Sequence, residues 1–290
     1  MVDLNKIIIG TAQFGLNYGI NNTNGKIPYN EIFKILDFAY QNKITILDTA
    51  PSYGNSEEQI GKYLENRPQN KFKINTKISN PDVSLEAQLK KSLTNLKSKK
   101  VEAIFFHSLD LYKKFEHELP FFIKFYKGKY FNQLGVSIYG NDQINTVIED
   151  KRIDRVQLPF NMLDNTTIRE KTILRLKSKG KHVDVRSVFL QGLFFKPLKK
   201  LPTSLMNLKK NLSFLHKLSD ESNYTMEGLA LNYVLSKRYI DNLIIGIDSF
   251  EQLKTNIKKI NEGITNEVIS RIDSIKTKKA EMLNPSLWMK

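Results

Sequence analysis

The stretch 44-ITILDTAPSYGNSEEQIGKYL-64 opens with a run of good β formers, Ile44-Thr45-Ile46-Leu47, and stops at a carboxylate, Asp48. A loop of small and turn-prone residues carries Tyr53, and an amphipathic helix is predicted to begin at Ser56. Strand, loop and helix make one β/α unit. An acid at the tip of the strand and a phenol just beyond it are either ordinary loop polarity or half of an acid–base machine.

The same alternation recurs outward from this unit. Short apolar, β-branched segments fall at 6–9, 44–47, 72–76, 103–106, 133–137, 155–158, 182–186 and 243–246. Between them the apolar residues repeat near 3.6: the segment 31–40 lines up Ile32, Ile35, Leu36 and Ala39, and 84–96 lines up Leu85, Leu89, Leu93 and Leu96. Continuous apolar strands separated by helices imply parallel strands buried on both sides. Eight such units in 290 residues favour an α/β fold of the closed (β/α)8 TIM barrel type, a single domain over 1–290. No GxGxxG follows a strand near the start, which removes the main signature of an open nucleotide-binding sheet. Two departures from the minimal repeat are expected: a long binding or lid loop at 187–205 after the seventh strand, and an extra C-terminal helix at 265–283.

Composition bounds the function classes. There is no cysteine, so disulfides and Cys-based metal sites are excluded, and no metal is expected. No secretory signal is visible and no run approaches the ~18 apolar residues of a membrane span, so a cytoplasmic protein is expected. The formal charge of +15 raises a nucleic-acid reading, but the lysines are spread along the chain, mostly on helical segments that also carry Glu or Asn. A solvated surface is the simpler account, and no nucleic-acid partner is expected. An anionic cofactor or substrate would benefit from that field either way.

In a barrel the chemistry sits where strands end and βα loops begin. The predicted ends are Gly10-Thr11, Asp48, Lys77, His107-Ser108, Ser137, Gln157 and Arg186-Ser187. Each has a bland reading. Asp48 can cap the turn after its strand, Lys77 can be a surface lysine, and His107 can be a satisfied core histidine. Jointly they are harder to dismiss, because a barrel brings the ends of strands two, three and four side by side, with Tyr53 in the adjoining loop.

On these residues the chain resembles the aldo-keto reductase superfamily, from IIIGTAQFGLNYGI through LDTAPSYGNSEEQIGKYL, NTKI, FFHS, LGVSIYG and VQLPFN to IIGIDSFEQLKTNI. DTAPSYGNSEE closely matches the family's D-T-A-x-x-Y-G-x-S-E pattern. The resemblance implies hydride transfer between NAD(P)H and an aldehyde or ketone, with the catalytic tetrad on Asp48, Tyr53, Lys77 and His107. A phenol has an ordinary pKa near ~10, and a neighbouring ammonium favours its anion. Tyr53 is therefore read as the acid, Lys77 as its activator, Asp48 as the orienter of Lys77 and His107 as a donor to the carbonyl.

For the cofactor, the resemblance implies Gly10, Thr11 and Asp48 at the near rim, and Ser137 and Gln157 at the nicotinamide amide. Ile138 stands where the family's G-V-S-N motif has asparagine, and Arg186, beside Ser187, stands where an aromatic supports the ring. A planar guanidinium can also stack. Asn256 matches the family's adenine-reading asparagine. Ser249 and Gln252 match phosphate-end positions, and equally make an S-x-x-Q capping box. NADP(H) is the family default, but Gly246 and Gln252 replace the usual lysine and arginine and Asp248 adds the wrong charge, so NAD(H) is a serious alternative.

Phe14, Tyr18, Phe160, Phe189 and Phe194 are candidate pocket aromatics, and the GTAQFGLNYGI start hints at a sugar-derived carbonyl. A small-molecule carbonyl substrate, no membrane, and a monomer or weak homo-oligomer complete the expectation. Two other classes stay open: a nucleotide-binding sensor or partner subunit of the same superfamily with little activity, and a lyase or aldolase using Lys77 as a Schiff-base nucleophile.

Overall fold

The computed structural model describes residues 3–22, 25–277 and 280–288. Eight strands lie in chain order around a closed barrel: β1 (Ile7–Gly10), β2 (Ile46–Asp48), β3 (Lys73–Ile78), β4 (Val101–Phe106), β5 (Phe131–Ser137), β6 (Arg155–Pro159), β7 (His182–Arg186) and β8 (Asn242–Gly246). Every neighbouring pair is parallel, including β1 with β8. Consecutive residues Ile7, Ile8 and Ile9 are all buried, as a strand covered on both faces requires.

The short helix α1 (Ala12–Gly15) follows β1, and α2 (Tyr29–Gln41) covers the outside before β2. The outer ring continues with α3 (Ser56–Asn66), α4 (Leu85–Asn95), α5 (Leu109–Lys114), α6 (Leu119–Tyr126), α7 (Ile144–Glu149) and α8 (Thr166–Ser178). It closes with α9 (Lys209–Ser222), α10 (Met226–Leu235), α11 (Phe250–Glu262) and α12 (Asn266–Asp273). The buried stripe of α2 is Ile32, Ile35, Leu36 and Ala39, the face its spacing predicts.

The long segment expected after β7 is present, and 187–205 is wound into short 3-10 turns at Leu190–Phe195, Leu198–Lys200 and Thr203–Leu208. Leu190, Leu193, Phe194 and Leu205 bury their side chains, so apolar packing holds the segment down. The expected helix 265–283 is shorter than its sequence pattern predicts. α12 stops at Asp273, residues 278–279 lie outside the described part, and Ala280–Leu283 is a separate 3-10 turn.

Towards the N-terminal ends of β6–β8 the interior is closed by a polar plug. Arg155 donates Nη2 to both Asp184 oxygens at 2.7 and 2.8 Å and Nε at 3.2 Å. Asn242 donates to Asp184 at 2.9 Å, and Arg155 Nη1 to Gln133 at 3.0 Å. Burial alone would push the Asp184 carboxyl up, but His182 and Arg155 more than offset it and hold it below the usual carboxylate range. This end of the barrel serves stability, and the chemistry belongs at the other mouth.

Candidate active site

Asp48 is the last residue of β2, whereas Lys77 lies inside β3 rather than after it, one residue short of its end. In register Asp48 faces Asn75, so Lys77 stands two residues higher and reaches back down. Its Nζ donates to Asp48 Oδ2 at 2.5 Å and to the Thr49 carbonyl at 2.9 Å. Both side chains are almost fully buried. Burial pulls the ammonium's pKa down, but Asp48 and the Tyr53 phenol more than offset it, so Lys77 titrates above the ordinary lysine value and stays charged. The Lys77 nitrogen lies 4.9 Å from the centroid of the Tyr53 ring. Asp48 Oδ1 accepts from Gln157 Nε2 at 2.6 Å, which ties β2 to β6 across the barrel.

His107 follows β4, and its ring meets Tyr53 edge-on with centroids 6.1 Å apart. Burial, with the positive charges of Lys77 and Arg186 adding to it, pushes the His107 pKa down to about 3. The imidazole is therefore neutral at physiological pH. Ser52 Oγ lies 3.4 Å from Nδ1. An unfolded histidine titrates near ~6.5, so as pH falls from there towards 3 the unfolded chain binds a proton that the native chain refuses. Stability is lost over that window. His107→Asn should flatten this acid limb in urea melts recorded at successive pH values, and an unchanged pH dependence would contradict the neutral assignment.

The loop carrying Tyr53 is held by close backbone contact and a buried hydroxyl knot. A Cβ on Gly15 would collide with the Tyr53 carbonyl oxygen, and Gly54 sits at φ +60° against Gly15. Ser56 Oγ donates to the Thr11 carbonyl at 2.9 Å, and Thr11 Oγ1 donates to the Asp48 carbonyl at 3.0 Å. The Thr11 hydroxyl is thus engaged inside the fold, and its side chain is wholly buried. Glu57 accepts from Thr76 at 2.6 Å and from Asn95 at 3.2 Å, fixing β3 beside Lys77. Glu57 carries no sequence signal of its own beyond its place in the motif.

Further round the rim, Ser137 ends β5 opposite Gln157, whose Oε1 is buried with no partner. Ile138 is wholly buried, and its carbonyl accepts from Arg186 Nη2 at 3.3 Å. The Arg186 guanidinium stacks 4.1 Å from the Tyr139 ring centroid. Ser187 has φ +61°, a left-handed conformation, and its carbonyl accepts from Asn161 at 3.1 Å. Of the candidate pocket aromatics, Phe14, Phe160 and Phe194 are wholly buried core residues. Tyr18 remains exposed, with its hydroxyl accepting from Gln191 at 2.9 Å. The Ile20 amide donates to the Gln191 carbonyl at 3.1 Å, so the loop after β1 is stitched to the segment after β7.

At the far end, Ser249 caps α11 by accepting from the Gln252 amide at 3.1 Å, and Gln252 Oε1 accepts from the Asp248 amide at 2.6 Å. Both side chains are therefore spent on the cap. The Phe250 amide donates to the Glu31 carboxylate of α2 at 2.9 Å. Burial pushes the Asp248 carboxyl up, with hydrogen bonds from Gln13 and Gln252 opposing it. Asn256 is buried with neither carboxamide atom partnered. Glu31 lies 219 residues from Phe250, and sequence spacing gave no sign of it. Gly10, half-buried, closes β1 between Asp48 and Gly246.

No curated protein matches the chain. Two solved structures from Pseudomonas aeruginosa, both assigned to the aldo-keto reductases, superpose with TM-scores of 0.63 and 0.64 at 18% and 16% identity. Each aligns over 90% of this chain and 93% of the other, a likeness of fold. The sequence profile of the aldo/keto reductase family matches residues 6–277. With that match over almost the whole barrel, the chain belongs to the aldo/keto reductase family.

Proposed function

We propose that this chain reduces an aldehyde or ketone to the alcohol with NAD(P)H, Tyr53 delivering the proton. The observation that carries the reading is the buried ammonium of Lys77, clamped 2.5 Å from Asp48 and lying 4.9 Å from the Tyr53 ring. When bound, NAD(P)H would supply the hydride that adds to the carbonyl carbon, becoming NAD(P)+. As negative charge grows on the carbonyl oxygen, the Tyr53 O–H gives up its proton to it. Lys77 stabilises the phenolate that remains until solvent reprotonates it. Asp48 holds Lys77 in place, and neutral His107 serves as a hydrogen-bond donor that orients the carbonyl. With the Ser52 hydroxyl donating a hydrogen bond to Nδ1, the ring proton sits on Nε2 and is free to do so. Schiff-base chemistry needs a neutral amine, and Lys77 is held charged.

The residues fit the cofactor. Gln157 Oε1 and both Asn256 carboxamide atoms are buried without partners, and such atoms are costly unless a ligand satisfies them. They suit the nicotinamide amide and the adenine edge. The phosphate end favours NADH: Glu31, with Lys34 3.6 Å away, and Asp248 place two acidic side chains near the start of α11, and Gln252 is committed to the cap. A 2′-phosphate would meet those carboxylates without an arginine to offset them.

The test is a fluorescence titration with NADH and NADPH followed by rapid mixing of the loaded protein with a simple aldehyde. NADH should bind more tightly, and the aldehyde should oxidise it. A cofactor that binds and is never oxidised would favour the sensor reading instead. A second check uses Gly15→Val, which should displace the Tyr53 loop and lower turnover roughly 10²-fold while NADH affinity holds, since a shift of ~1 Å is worth that much. Unchanged turnover would contradict the dependence on loop position.

A further inference from the structure

The polar groups of the mouth do not balance. Asp48 and Lys77 cancel as an ion pair. Arg186 is left over. Among the described residues, every other arginine that is buried or half-buried faces a carboxylate: Arg67, Arg152, Arg155, Arg169 and Arg271 are each in an ion pair. Arg186 is half-buried, and it touches one carbonyl, Ile138 at 3.3 Å, and the face of Tyr139 at 4.1 Å. A guanidinium carries five N–H donors in a planar fork, so most of this one's capacity is unused. Partial burial without a directly paired carboxylate is costly unless something negative arrives.

Its position says what that anion belongs to. Arg186 ends β7, next to β8, yet its side chain leans the other way, over the residues that follow β5. Its charge is felt at His107 after β4, at Tyr18 after β1 and at Asp164 after β6, a carboxylate whose two oxygens are already taken by Arg169. The dinucleotide-end groups, Asp248, Gln252 and Asn256, follow β8, whereas the side-chain contacts of Arg186 are to Ile138 and Tyr139 after β5. The guanidinium therefore belongs to the carbonyl side of the site and not to the diphosphate side.

We propose that the substrate is a carbonyl compound bearing an anionic group, a carboxylate or a phosphate, which pairs with Arg186 while its carbonyl faces Tyr53 and His107. This rests on the carbonyl-reductase reading and names its substrate class. The surplus charge of +15 would speed the encounter of such an anion with the mouth. The planar fork suits carboxylate and phosphate alike.

The experiment compares matched substrates in the NADH-loaded protein: succinic semialdehyde against its amide, and glyceraldehyde 3-phosphate against glyceraldehyde. Wild type should prefer one charged member in kcat/KM, and whichever pair shows it identifies carboxylate or phosphate. In Arg186→Met that preference should fall roughly 10- to 100-fold, the worth of a hydrogen bond between charged groups, mainly through KM. Arg186→Lys should recover part of it. A charged-to-neutral ratio that Arg186→Met leaves unchanged would overturn the proposal, whether both members slow together or neither does. Binding of the product acid 4-hydroxybutyrate and of glycerol 3-phosphate to NAD-loaded protein, by calorimetry, needs no turnover. At least one should bind to wild type and weaken in Arg186→Met, and indifference of both would overturn the inference. Failure of wild type to reduce any of the four aldehydes would instead count against the reductase reading alone.

Discussion

Tyr53→Phe is expected to bind NADH as the wild type does and to turn over roughly 10²–10⁴-fold more slowly, the usual worth of a positioned proton donor. Phenylalanine keeps the ring that lies beside the Lys77 ammonium, so the packing and the cation–π contact survive. It also keeps the edge-on contact with His107. Only the O–H is lost. Because the loop is fixed by Gly15, Gly54 and the Thr11–Ser56 knot, the variant should fold with the loop unmoved. The loss should appear in kcat and kcat/KM together, the pattern of an interaction made in the transition state. Lys77 should keep its charge throughout the neutral range. Its folded pKa is raised, so the stabilisation it contributes is complete below the ordinary lysine value and lost only as pH rises through the higher one.

Asp184→Asn should cost about 3–5 kcal/mol of stability, because it leaves the buried Arg155 guanidinium without its counter-charge. The residue is wholly buried and accepts from both Arg155 and Asn242, so no solvent can substitute for the lost carboxylate. Urea unfolding measures the change. The double variant Arg155→Met with Asp184→Leu should recover much of it, since an apolar pair of similar volume avoids the desolvation cost. If Asp184→Asn unfolded at the wild-type urea concentration, the plug would be a bystander. The wild-type carboxyl titrates below the usual range, so its contribution is present above that range and is lost as pH falls through the lowered value.

The architecture was legible because each β/α unit states itself locally: β-branched runs buried on both faces, then a 3.6-residue stripe. Barrel closure adds one rule, that strand ends converge, and this rule alone selects Asp48, Lys77 and His107 with Tyr53 beside them. Contacts between residues far apart in sequence are what local patterns miss. Glu31 on the start of α11, Ser56 on Thr11 and Glu57 on Thr76 each join different elements. The segment after β7 read as a long loop because its glycine and prolines signal turns. Its leucines nevertheless return to the core between them. Phe14, Phe160 and Phe194 show the same limit, since an aromatic residue near a strand end can face the pocket or the core and its neighbours in sequence do not say which.

Neighbouring strands carrying a carboxylate, an ammonium, a phenol and an imidazole to one point above a reducing coenzyme is the central claim. Its most direct test is single-turnover oxidation of bound NADH by an aldehyde, measured for wild type and Tyr53→Phe in H2O and in D2O. The wild type should oxidise its cofactor with a solvent isotope effect, and Tyr53→Phe should bind NADH equally well yet react roughly 10²–10⁴-fold more slowly. NADH that stays reduced in the wild type, or equal rates in the two proteins, would contradict it.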